Sequence, residues 1–108
     1  MIYATGISFK ENSVKDLKSI VRIKLESDSA GDWKIKKESG NEVIGGWYEK
    51  EKIHSWLVNN GKNGFVIKVK IEPYSKLEPV ESNGVKYVRA APDKTKENNL
   101  LKLKHYRD

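Results

Sequence analysis

Residues 65–90, FVIKVKIEPYSKLEPVESNGVKYVRA, carry the pattern that decides the fold. Phe65, Ile67, Val69 and Ile71 alternate with Val66, Lys68 and Lys70, the period of two that marks a half-buried strand. Pro73 ends the run, since proline has no N–H to give to a ladder. Farther on, Asn83-Gly84 separates Leu77–Glu81 from Val85–Ala90. That dipeptide is the one most favoured at the tip of a two-residue hairpin, because both positions tolerate positive φ. Pro79 keeps the first arm of the hairpin at an edge.

Upstream of this β-rich half the period changes. From Trp47 the pattern is helical: Tyr48, Glu49, Lys50, Glu51 and Lys52 lead into Ile53, Trp56 and Leu57 at i, i+3 and i+4, and Asn59, Asn60 and Gly61 supply a stop. The stripe predicts one amphipathic helix of about three turns packed on a sheet. Ser39–Gly46 reads as a loop in which Val43 and Ile44 permit a short strand. Ile20–Glu26 alternates with Val21, Ile23 and Leu25 on one face, and Trp33–Lys37 alternates again. The turn residues of 27–32 between them predict a hairpin. Ile2–Phe9, β-branched and aromatic around Gly6, reads as the first strand. The fold expected is α+β: an antiparallel sheet of about five to six strands with one helix on one face, in the order β-β-β-α-β-β-β. Residues 1–90 form a single domain in this reading, and 91–108 a polar extension docked through Leu100 and Leu103.

Composition narrows the function classes. A chain of 108 residues suits one domain with one core. The absence of cysteine excludes disulfides, thiolate metal sites and a cysteine nucleophile. No apolar run approaches the roughly twenty residues that span a bilayer, and the N-terminus lacks the layout of a secretory signal; the expected location is the cytoplasm. The net charge of +6 is uneven, with ten Lys/Arg against nine acids in residues 1–60 and eleven against six in residues 61–108. An anionic partner follows as an expectation. Only Arg22, Arg89 and Arg107 are arginines, so the charge suits diffuse attraction better than bidentate reading of bases.

Lys86-Tyr87-Val88-Arg89, then Pro92-Asp93, then Asn98-Asn99-Leu100 with Leu103, resembles the end of an uncharacterised family of short bacterial and phage-associated proteins classed as a domain of unknown function. The specific part of the likeness covers residues 85–103, and the rest agrees in layout: N-terminal strands, one short helix with an Asn-Gly stop, then a strand pair and an Asn-Leu tail. The chain departs from that pattern in its longer N-terminal half and in Lys102 and Lys104, where a proline is expected near the last leucine. The resemblance implies a fold layout and no established activity.

Among candidate sites, His54 and His105 have no metal-ligand spacing, and an exposed helical position is expected for His54. No phosphate loop or nucleophile elbow is present. Trp47, after Gly45-Gly46 at the expected helix entrance, is either a ligand-stacking residue or a packing cap. Lys68, Lys70 and Lys86 form one basic patch if their strands pair; otherwise they are a solvated edge. Arg89 shares the phase of Val85 and Tyr87, the expected inward side, with Asp93 as a ready partner. Asn98 and Asn99 read as turn residues that dock Leu100. The expected function is non-enzymatic binding of an anionic ligand, nucleic acid or nucleotide, through Trp47, Lys68, Lys70, Lys86, Tyr87 and Arg89, with no cofactor and no metal. A phage-encoded inhibitor of a host defence system, acting by contact with a host protein or by nucleotide sequestration, is the rival expectation. Exposed sheet edges suit a homodimer or higher homo-oligomer.

Overall fold

The computed structural model describes residues 2–27, 34–37, 40–43, 45–61, 66–72, 74–91 and 98–108. Along these the chain forms β1 (Ile2–Phe9), β2 (Ile20–Ser27), β3 (Lys34–Lys37), β4 (Gly40–Val43), β5 (Gly46–Glu49), α1 (Lys50–Asn60), β6 (Ile67–Val69), β7 (Leu77–Ser82), β8 (Val85–Ala90) and β9 (Lys104–Arg107). The central sheet runs β5-β2-β1, and β6 and β9 share the far side of β1. β6 lies along Ile2–Ala4 and β9 along Gly6–Phe9. β3–β4 and β7–β8 are separate two-stranded sheets.

Two irregularities tune the central sheet. Ala4 faces Leu25 while Gly6 faces Lys24, so β1 carries one extra residue there. The bulge shifts the phase of the strand: Ile2 and Ala4 are buried before it, Ile7 and Phe9 after it. A second shift, between Ile7 and Phe9, places the extra residue on β2 and buries Ile20 with Ile23 and Leu25. One face of the sheet is thereby apolar along its whole length. Ile53 and Leu57 of α1 cover it, and Leu77, Val88 and Ala90 of the β7–β8 hairpin, packed against the helix, complete the core. Leu100 and Leu103 join the same core from the tail. There Asn98 caps a short 3-10 turn, accepting from the Leu100 N–H and exchanging two hydrogen bonds with the Ala90 backbone.

Several expectations are corrected. The protein is α+β, but its sheet is mixed: β6 and β9 run parallel to β1, whereas β2 is antiparallel to it. Side-chain alternation is the same in both arrangements, so the pattern carried no direction. The helix decides it, because α1 returns the chain to the starting end of the sheet and β6 leaves in the direction of β5. Ile20–Ser27 pairs with β1 and β5 instead of forming a hairpin with Lys34–Lys37, which pairs with Gly40–Val43. Gly46–Glu49 is a strand, and the helix begins only at Lys50. Its end at Asn60 and Gly61 agrees with the stop signal. His54 is buried, at 8% exposure, on the helix side. Trp33, Phe65, Pro73, Pro92 and Asp93 lie outside the described residues.

Candidate functional site

The face of the central sheet opposite α1 is not covered by any described element. On β5, Tyr48 points inward, packing against Trp56 with ring centroids 5.0 Å apart. Its neighbour Trp47 therefore points outward, in register with Lys24 of β2, which in turn faces Gly6 of β1. Tyr106, in register with Ser8, reaches over Gly6 from β9. Trp47 and Tyr106 meet edge to face above the sheet, with centroids 5.1 Å apart at 80°. Glycine makes this possible: a Cβ on Gly6 would lie 2.7 Å from Cε2 of Tyr106 and 3.6 Å from Cη2 of Trp47. Lys104 Nζ stands 5.2 Å from the Tyr106 ring centroid.

A second aromatic pair lies farther along the same face. Tyr3 and Tyr74 sit 6.2 Å apart at 66°, and Lys70 Nζ is 5.8 Å from the Tyr3 ring centroid. With Lys68, which is in register with Tyr3, they line a cleft of about 290 Å3. The loop that carries Tyr74 is tied down by its backbone: Lys70 N–H donates to the Ala4 carbonyl at 3.0 Å, Val69 N–H to Ser75 at 2.9 Å and Tyr74 N–H to Ile71 at 2.7 Å. Tyr74 itself adopts a φ of 60°, a left-handed conformation uncommon for a bulky residue and one that accumulates at functional sites. Tyr74 remains 45% exposed, and Trp47 is 38% exposed.

The acids of this face are Glu26 opposite Tyr3 and Glu49 opposite Arg22, with Asp108 at 3.7 Å from the Arg22 guanidinium. Lys24, Lys68, Lys70 and Lys104 outnumber them. A larger cleft of about 400 Å3 lies between Lys10, Ser13, Ser19 and the start of α1. There Lys50 is held by Glu51 at 3.4 Å and by the Lys18 carbonyl at 3.0 Å, so its charge is compensated internally.

Of the residues singled out from sequence, Trp47, Lys68 and Lys70 come to this open face. Lys86, Tyr87 and Arg89 do not, because β8 pairs only with β7 and the hairpin packs on α1. A single bridge, Lys68 to Lys76, links β6 to the hairpin region. The inward phase of β8 is that of Val88 and Ala90, the reverse of the one expected. Arg89 points outward, where its Nε donates to Glu78 Oε2 at 3.2 Å. Lys86 has the inward phase but lies beyond the end of the core, exposed beside the turn. Tyr3, Tyr74, Tyr106, Lys24 and Lys104 were not singled out. One sequence signal pointed to them, a glycine inside a strand pattern, which marks a close approach by another group.

Among the described residues no three His, Cys, Asp or Glu side chains group as a metal site. His105 Nε2 donates to the Leu101 carbonyl at 2.7 Å, and its ring packs edge-on against Phe9. No described helix is long and apolar enough to cross a membrane. A family model described as a protein of unknown function, DUF3892, matches residues 15–104. No curated protein and no solved structure matches.

Proposed function

We propose that this chain, which belongs to the DUF3892 family of unknown function, is a non-enzymatic binding module for a nucleotide-containing anion. The observation that carries the reading is the composition of the open sheet face: two aromatic pairs, Trp47–Tyr106 and Tyr3–Tyr74, each with a lysine ammonium within 6 Å of a ring. Rings of this kind stack on a base, and lysines attract its phosphate; each does so without a metal or a catalytic group. The two functions need to be adjacent, and the bulged sheet makes them so.

The test compares two charge reversals. Lys68→Glu with Lys70→Glu should weaken binding of a fluorescent nucleotide-containing ligand by at least about tenfold, the scale of lost phosphate contacts. Lys86→Glu with Arg89→Glu, on the hairpin packed against the helix, should leave it unchanged. Absence of binding at low salt, or an effect confined to the hairpin pair, removes the open face as the site.

A further inference from the structure

Granting that reading of the open face, we infer that its ligand is a single-stranded nucleic acid that spans both aromatic pairs, not a free nucleotide held at one. The pairs are two separate stations. Tyr106 and Trp47 meet above Gly6, and Tyr3 lies three residues away on the same strand, about 7 Å along it because the bulge sets those three residues against two of β2. A base stacked on one pair leaves the other unfilled. A strand of successive nucleotides can, and each station provides what a nucleotide unit presents: a π surface and a cation. At the first, Lys68 and Lys70 flank the Tyr3–Tyr74 corner. At the second, Lys104 stands over Tyr106, and Lys24 neighbours Trp47 in register.

The shape and chemistry of the face select among nucleic acids. Its rings are spread over a sheet, an arrangement that reaches bases only when they are unpaired and splayed, as on sheets that bind single strands. A duplex would present phosphates to the lysines and hide its base faces from the rings. The cations named at the two stations are all lysines, point charges without the planar fork that reads guanine, so the ligand is bound with little sequence preference.

Fluorescence anisotropy decides the matter, with the full chain, a labelled oligothymidylate of about ten nucleotides, a duplex of equal length and thymidine triphosphate as competitor. The oligonucleotide should bind roughly a hundredfold or more tighter than the mononucleotide, because its second contact is intramolecular, and should also outbind the duplex. Tyr74→Ser at one station and Lys104→Glu at the other, both at exposed side chains, should each weaken the oligonucleotide by roughly five- to a hundredfold while thermal melting confirms an intact fold. Equal affinity for oligonucleotide and mononucleotide, equal affinity for the duplex, or loss from only one of the two variants overturns the strand-spanning inference and leaves the anion-binding module standing. No binding of any of the three at low salt overturns both.

Discussion

A methyl group at Gly6 would have to displace the Tyr106 ring, since the site offers it only 2.7 Å from Cε2 and 3.2 Å from Cδ2. Gly6→Ala should therefore cost about 1–3 kcal/mol, the range for overpacking a filled site, read as a lower urea midpoint with an unchanged slope. Gly45→Ala is the matching control: its Cβ would meet nothing within 4 Å, and its effect should stay within about 0.5 kcal/mol. Arg89 is a different case. The cross-strand pair with Glu78 has side chains 45% and 42% exposed, so water competes for both charges. Arg89→Ala should cost no more than about 1 kcal/mol, and a chemical-denaturation curve that shifts by much more would mean the hairpin leans on this arginine in some further way.

The β7–β8 hairpin sets its own turn locally. Asn83 and Gly84 have φ of 51° and 78°, the left-handed pair that a two-residue turn needs to match the twist of its strands. Placing alanine at Gly84 forces a side chain into that conformation and should lower stability by about 1 kcal/mol, measurable in the same denaturation assay. The helix is tied to the rest of the molecule more tightly than to itself. Ile53 is fully buried and lies in the core with Ile23 and Leu25 of β2, so Ile53→Ala should cost about 2–5 kcal/mol through lost burial and a cavity. Such a loss would also strike the open face from behind, because α1 packs on β2 and β5, the strands that carry Lys24 and Trp47. Oligonucleotide binding in that variant should fall in parallel with the folded fraction and no further.

Across the whole molecule, the uneven charge and the one-sided helix have a joint consequence. The helix and the hairpin cover one face of the sheet, and Lys24, Lys68, Lys70 and Lys104 lie with aromatic rings on the other. Affinity for a single strand should fall linearly with the logarithm of salt concentration, with about 0.7 of a unit of slope for each phosphate neutralised. Lys68→Ala should remove about one contact from that slope, whereas Lys86→Ala should leave the slope as it is. How much of this could be read beforehand depends on distance along the chain. Ile2–Phe9, the alternation of Ile20–Glu26, the Asn83-Gly84 turn and the helix stop at Asn60-Gly61 were all legible, because each is dictated by neighbours within a few residues: the period of burial, a backbone that tolerates positive φ, a helix that lacks its next good former. Strand direction, strand partners and the phase of β8 were not legible. β8 carries apolar residues in both phases, Val85 and Tyr87 against Val88 and Ala90, so packing on α1 decides which side faces the core, and alternation is identical in parallel and antiparallel ladders. The candidate site was legible only in Trp47, Lys68 and Lys70. Tyr3, Tyr74 and Tyr106 lie far apart along the chain, and what unites them with Trp47 is a crossover helix, a bulge at Thr5 and a strand that returns beside β1 after nearly a hundred residues. The sequence by itself determined the local elements and the excess of lysine; only the tertiary structure decided which rings and which lysines share a face, because that depends on non-local pairings whose free energy is settled by the packing of the whole core.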